Sequence, residues 1–312
     1  MKRVLVTGGA GYIGSKLVTK LLDKNYKVTV IDILKFSSKS LNHLFNNKNF
    51  TFIKGDVRNK KLMKNLIKKN DFIIPLAALV GAPLCEKNKK EAISVNLDSI
   101  KHLMRIISKK RNRIIYLTTN SGYGVGEKNK YCDENSTLKP ISLYGRTKVD
   151  AEKIVMKYKN SIAYRLATVF GYSYRMRTDL LVNNFVFRAL KDKKLKIYEP
   201  HFRRNYIHIE DVVEGIVFAI NNFIKLRSEV YNLGLSSANL TKYMLAKKIK
   251  QKLKKIEIKI IKNKKDPDQR DYYVSNKKIE KKGFKAKVKI ESGIDELIKV
   301  FQYNKQKIIN NY

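Results

Sequence analysis

The chain predicts an α/β fold: a doubly wound parallel sheet with a smaller, mostly C-terminal α/β lobe. Short β-branched apolar runs alternate with helix-period stretches through the first two-thirds of the sequence, the pattern of βαβ units. A glycine-rich turn follows the first apolar run, and the alternation changes character in the last third.

Lys2–Thr7 reads as the first strand. Ile13–Lys24 reads as a helix, since Ile13, Leu17, Leu21 and Leu22 fall on one face. Strands follow at Lys27–Ile31, Phe50–Lys54, Asp71–Pro75, Arg113–Leu117 and Ser161–Leu166, with helices near Lys60–Lys69, Glu91–Lys109 and Tyr144–Lys159 between them. In the last third, Val230–Leu233 is a short strand and Thr241–Leu253 a basic amphipathic helix with Thr241 as its cap. Ile256–Ile261 alternates like a half-buried strand, and Ser292–Tyr303 is a terminal helix.

With 312 residues, 43% of them hydrophobic, the chain can bury a large core. No apolar run approaches the roughly 20 residues that a membrane-spanning helix needs, and Gly8 and Gly9 interrupt the apolar start. The expected location is therefore the cytoplasm, without membrane insertion. Cys85 and Cys132 lack CxxC spacing, and His43, His102, His201 and His208 form no metal-ligand pattern, so neither a disulfide framework nor a metal site is expected. Lys and Arg number 67 against 27 Asp and Glu, a net charge of +40. Such charge raises nucleic acid as a partner. The lysines are scattered through every segment, however, and no specific nucleic-acid role is expected. A dinucleotide-sensing or RNA-binding protein on the same fold is the remote alternative.

The turn Thr7-Gly8-Gly9-Ala10-Gly11-Tyr12-Ile13-Gly14 sits between strand and helix, with glycines at positions 8, 11 and 14. Gly8 permits a tight turn, Gly11 a close approach of pyrophosphate to backbone N–H groups, and Gly14 close helix–strand packing. The helix N-terminus beyond supplies free donors for phosphate. This makes the N-terminal domain a Rossmann dinucleotide-binding unit. Its predicted extent is 1–171 with 205–234 returning to it; 172–204 and 235–312 form the substrate lobe. Asp32 ends the second strand, where a carboxylate binds ribose hydroxyls and repels a 2′-phosphate, so NAD is expected over NADP. Lys35 is a weak counter-signal. Asp56 is placed for the adenine amino group, with an N-cap role as its rival.

Tyr144-Gly145-Arg146-Thr147-Lys148 begins a helix, and residues four apart share a helical face. A cationic Lys148, with an oxidised nicotinamide, would lower the Tyr144 pKa and make its phenolate a general base. Thr118 and Thr119 follow a strand, where a hydroxyl can bond the reacting oxygen and pass its proton to Tyr144.

TGGAGYIG at Thr7–Gly14, GDVRN at Gly55–Asn59, PLAALVGAP at Pro75–Pro83 and TTNSGYG at Thr118–Gly124 belong to one series. YGRTK at Tyr144–Lys148, RLATVFG at Arg165–Gly171, RNYIHIEDV at Arg204–Val212 and YNLG at Tyr231–Gly234 continue it. Together they resemble the extended short-chain dehydrogenase/reductase superfamily, in its nucleotide-sugar epimerase/dehydratase branch, over nearly the whole chain. The resemblance implies NAD as cofactor, a nucleotide-diphosphate sugar as substrate and a homodimer. It assigns Thr119, Tyr144 and Lys148 as the catalytic group. Around the cofactor it implies Gly8, Gly11, Tyr12, Ile13, Gly14, Asp32, Asp56 and Val57. Leu76, Ala77, Ala78, Asn96 and Thr118 complete that set with Tyr144 and Lys148. Around the substrate it implies Val80, Gly81, Thr119, Asn120, Asn183, Arg204 and Arg270.

Two departures narrow the implied chemistry. The 4,6-dehydratase members carry Asp-Glu after the catalytic threonine, whereas this chain has Asn120-Ser121, and an amide cannot act as a general acid. The 3,5-epimerising members place a cysteine there, and this chain has none. Hydride chemistry at sugar C4 remains. A finer likeness, in segments such as AALVGAPLCEKN and ATVFGYSYRMRTDLLVN, is to a subgroup containing a GDP-heptose 4-dehydrogenase. UDP-hexose 4-epimerisation is the alternative. The helices near Glu91–Lys109 and Tyr144–Lys159 carry apolar stripes (Ile93, Leu97, Ile100, Leu103, Met104; Ile154, Val155) expected at the dimer interface or, equally, buried against the sheet.

Overall fold

The computed structural model describes residues 1–107, 111–127, 130–262 and 269–303. A seven-stranded parallel sheet forms its centre. From edge to edge the strands are Glu229–Leu233, Ser161–Leu166, Arg113–Thr119, Phe72–Pro75, Arg3–Thr7, Lys27–Asp32 and Phe50–Lys54. Their apolar residues alternate between two cores, as the period of a strand demands. Val4, Val6, Val28, Val30 and Ile74 pack beneath the helices Tyr12–Asp23 and Ile209–Asn221. Leu5, Ile31, Ile73, Ile114 and Tyr116 pack on the other face, against Lys60–Lys69, Ser99–Ile106 and Leu143–Met156.

The chain reverses its direction of travel across the sheet between Arg3–Thr7 and Phe72–Pro75. At such a switch point the loops beyond the carboxyl ends of adjacent strands diverge and leave a crevice. A third core builds the lobe, where the helices Leu181–Asp192, Lys242–Lys252 and Ile290–Tyr303 enclose Leu195, Tyr206 and Leu240. Small sheets tie it together: Lys194–Tyr198 pairs with Glu257–Ile261, and Arg203–His208 joins Thr168–Phe170 and Asn239–Thr241. Thr241 caps its helix as expected, its Oγ1 accepting the Met244 N–H at 3.1 Å. No helix among the described residues is long and apolar enough to cross a membrane.

Two expectations change. The helix placed at Glu91–Lys109 begins at Lys89 and is interrupted by a π-turn at Ser94–Asp98; Lys109 lies outside the described residues. The stripes expected at a subunit interface are spent largely inside the chain, because Ile100, Leu103 and Val155 pack on the sheet. Ile93, 39% exposed, faces outward.

Candidate active site

The crevice at the switch point is a cleft of about 530 Å³ running from the glycine turn to the lobe. Its cofactor-shaped end is made of backbone. Gly8 has φ +71°, and a Cβ there would lie 2.6 Å from the Ala77 nitrogen. A Cβ on Gly14 would lie 2.4 Å from the Gly8 carbonyl oxygen. A side chain at either position would force the neighbouring backbone to shift. Gly11 precedes the helix Tyr12–Asp23 without a side-chain cap, so the first-turn N–H groups open toward the cleft. Asp32 closes the turn: Oδ2 accepts the Ala10 N–H at 3.0 Å and Oδ1 the Leu34 N–H at 2.8 Å. Burial raises its pKa, while these two bonds and Arg175 work against that rise. Lys35, the counter-signal to NAD, also lines the cleft, where its ammonium is paired with Glu91 at 2.7 Å.

Asp56, Val57, Leu76, Ala77, Ala78, Val80 and Gly81 line the same cleft. Asp56 binds the Arg58 side chain, whose hydrogen bond lowers its pKa. The helix after it is capped by Asn59, not Asp56, with Oδ1 accepting the Leu62 N–H at 3.1 Å. The N-cap rival for Asp56 is thereby set aside.

Thr118 and Thr119 end the strand Arg113–Thr119, and Tyr144 and Lys148 sit one helical turn apart on Leu143–Met156; all four line the cleft. Ser142 fixes where that helix starts, its hydroxyl accepting the Gly145 N–H at 3.1 Å. Thr119 Oγ1 is 2.8 Å from Ser121 Oγ. The Thr118 hydroxyl is buried without a hydrogen-bond partner among the described residues. Lys148 is 6% exposed, with Nζ 4.1 Å from the centre of the Tyr116 ring. Burial pulls its pKa down to about 7, against the nearby Glu152. Burial pushes Tyr144 up to about 12; Cys85 adds to the rise, and Arg177 and Arg270 oppose it. The lowering of Tyr144 is expected from Lys148 together with an oxidised nicotinamide; in the protein alone, Lys148 is not among the groups that shift it.

Three predicted contacts, all asparagines, are not in the cleft wall. Asn183 is fully buried: its Oδ1 accepts the Gly171 N–H at 3.1 Å and its Nδ2 donates to the Arg177 carbonyl at 2.8 Å. Its neighbour Asn184 lines the cleft instead. Asn96 sits in the π-turn and clasps the Leu79 backbone, accepting its N–H at 2.8 Å and donating to its carbonyl at 2.9 Å. It shapes the loop beside the cofactor end without reaching the cleft. The Asn120 amide is 1% exposed and has no partner among the described residues.

From the lobe come Arg204, 2% exposed, and Arg270. Arg204 donates to the Arg270 carbonyl, and Arg270 to Ser121 Oγ. Asp266, Pro267 and Asp268, which precede Arg270 in its motif, lie outside the described residues. Sequence reasoning missed Arg175, Arg177, Asp179 and Lys242, which also line the cleft. Arg177 and Asp179 form an ion pair that is almost fully buried. Arg175 stacks 4.8 Å from the Phe36 ring, and burial beside Arg177 brings its pKa down to about 10. Among the described residues, no cluster of His, Cys, Asp and Glu could hold a metal ion.

A parallel doubly wound sheet, a glycine turn at its switch point and a Thr–Tyr–Lys group in the adjoining cleft define a dinucleotide-binding scaffold. The family model of the NAD dependent epimerase/dehydratase family matches residues 4–234, and the chain belongs to that family. A Bacillus subtilis (strain 168) protein described as an uncharacterized UDP-glucose epimerase is 32% identical over 249 residues, covering 74% of this chain and 76% of that protein. The human dTDP-D-glucose 4,6-dehydratase is 27% identical, covering 97% of this chain and 91% of its own length. The fold is shared with the Bacillus cereus UDP-glucuronic acid 4-epimerase, solved with UDP-glucuronic acid and NAD (TM-score 0.85, 24% identity, 96% of this chain and 99% of that one). It is shared equally with the Bacillus anthracis dTDP-glucose 4,6-dehydratase in complex with NAD (TM-score 0.85, 24% identity, 98% of both chains).

Proposed function

We propose that this enzyme oxidises a nucleotide-diphosphate sugar at C4 by hydride transfer, with or without return of the hydride to the opposite face. One observation carries the reading: a single cleft wall gathers the glycine turn, Asp32, the Thr119–Tyr144–Lys148 group and two lobe arginines. The residues fit NAD, because the cradle at Gly8 and Gly14 excludes a Cβ and Asp32 stands at its ribose end. NAD, when bound, accepts the hydride and brings a positively charged ring.

Gly11 and the helix N-terminus would hold its pyrophosphate, Asp32 its ribose hydroxyls, and Lys148 the second ribose. Tyr144, lowered from about 12 by that added charge, takes the proton from the sugar C4 hydroxyl, and Thr119 relays it. Arg204 and Arg270 grip the diphosphate. Dehydration is disfavoured: Asn120 is buried outside the cleft wall and Ser121 offers a hydroxyl, so the turn after Thr119 holds no carboxyl. We assign the lobes as 1–171 with 205–234, and 172–204 with 235–312. We propose, too, that the enzyme is a cytoplasmic homodimer formed through the outer faces of the helices bearing Ile93 and Ile154.

Two substrates are kept. GDP-heptose, for surface polysaccharide synthesis, is favoured by the segment likeness around Cys85 and Arg175–Arg177. A UDP-hexose is favoured by the B. subtilis relative described as a UDP-glucose epimerase. Mass spectrometry of a GDP-heptose and UDP-hexose panel decides between them. A 4-keto heptose with NADH identifies the dehydrogenase, and UDP-galactose from UDP-glucose without NADH the epimerase. A 4-keto-6-deoxy product from either sugar would overturn the C4-only chemistry.

A further inference from the structure

The helix Lys242–Lys252 begins with a lysine that is 2% exposed. Two general effects oppose that placement. Lysines are almost never fully buried unless paired, and the first turn of a helix is the positive end of its dipole. Thr241 already caps this helix, so the ammonium is not needed to start it. The side chain is nonetheless fixed: Nζ donates to the Tyr198 carbonyl at 3.0 Å and lies 5.1 Å from the centre of the Phe202 ring. The Lys242 backbone N–H donates to the Phe202 carbonyl at 3.0 Å, which anchors the residue beside the strand Arg203–His208. From there it lines the cleft together with Arg204, Arg270 and Tyr272. Cations from three separate segments thus meet at the lobe end of the cleft.

We propose that Lys242 is a third cation for the substrate's diphosphate, acting beside Arg204 and Arg270. A guanidinium fork grips two oxygens, while an ammonium is a compact point charge suited to one more. The assignment rests on the nucleotide-sugar reading above and adds a residue to it.

The test is calorimetric binding of UDP, GDP, uridine and guanosine to the full-length protein in the presence of NAD. Lys242→Met removes the charge. Lys242→Gln removes it but keeps N–H donors for the Tyr198 carbonyl. Either variant should weaken UDP or GDP binding about ten- to hundredfold, leaving the nucleosides and NAD unaffected. Lys242→Arg should retain most of the affinity. Unchanged diphosphate binding in a folded neutral variant overturns the inference, and so does an equal loss of nucleoside binding. Should neither neutral variant fold, the wild-type protein supplies the readout. UDP must then shield Lys242 from reductive methylation, followed by mass spectrometry, and equal labelling with and without UDP overturns the inference. Wild-type protein that binds neither UDP nor GDP overturns the nucleotide-sugar reading itself.

Discussion

The two ends of the cleft recognise their ligands by different means. The N-terminal end is built from backbone: Gly8 and Gly14 are positions where a Cβ has no room, and Gly11 leaves helix N–H groups open. The lobe end is built from long side chains, Arg204, Arg270 and Lys242, drawn from segments far apart in the chain. Backbone recognition constrains residue type at fixed spacing. Side-chain recognition constrains only where a charge arrives, and many sequences can deliver it. The first kind of site should therefore fail abruptly on substitution, and the second by degrees.

The catalytic group between the two ends should give the largest effect. Tyr144→Phe keeps the ring and removes the hydroxyl, so fold and bound cofactor should persist while turnover falls about a hundredfold to ten-thousandfold. Product formation on the true substrate measures this, and near-normal turnover would break the mechanism. Gly8→Ala tests the backbone end. The new Cβ meets Ala77 backbone at 2.6 Å and must hold φ +71°, a strain on the order of 1–3 kcal/mol. The purified variant should carry almost no NAD after gel filtration and melt several degrees lower. Full cofactor retention would show that the turn is not a fixed cradle. Asp32→Asn, milder, should cost about tenfold in NAD affinity, roughly one charge-assisted hydrogen bond, and narrow the preference over NADP. Competitive titration of the two cofactors reads it, and an unchanged preference would remove Asp32 from the ribose site.

Lys148 offers a smaller effect with a definite sign. Its pKa falls from 10.5 to about 7 on folding. Between those values the unfolded chain holds more protons at this site than the folded one, so this group makes stability rise with pH across the window. Lys148→Met removes that dependence. Glu152 is not orphaned by the change, since Arg165 stays paired with it at 2.7 Å. The cofactor-free variant should melt above the wild type at pH 6.5, with the gain shrinking toward pH 10. A variant that melts lower at pH 6.5 would mean that Lys148 stabilises the fold.

The same contrast explains what the sequence made legible. All seven strands of the central sheet were readable, because each is a short apolar run bounded by polar turns. The helix Ile209–Asn221 escaped notice: it is apolar on most sides, with Val212, Val213, Ile216 and Val217 all buried, so its 3.6-residue period is blurred. The strand Arg203–His208 was missed because paired arginines open it, although both are held by their surroundings. At the site, the glycines, Asp32 and the Tyr144–Lys148 spacing were visible as local pattern. Arg175, Arg177 and Lys242 were not, since nothing in their local sequence separates them from the other 64 of the chain's 67 basic residues.

The smallest effect separates two adjacent residues. Asn183 was predicted to touch the substrate, yet it is spent on the loop that carries Arg175 and Arg177. Asn184, next to it, lines the cleft. Helical geometry turns adjacent residues about 100° apart, so only one of such a pair can face a ligand. Asn183→Ala would leave the Gly171 N–H and the Arg177 carbonyl without these partners, at a cost of about 1–3 kcal/mol, and lower the melting temperature. Its effect on turnover should come only through Arg177 and remain small. Asn184→Ala should leave the melting temperature unchanged and raise KM a few-fold. Melting curves and initial rates on both variants check the assignment. If Asn183→Ala raised KM while melting normally, the substrate contact expected from the sequence would stand, and the buried position described for that amide would be wrong.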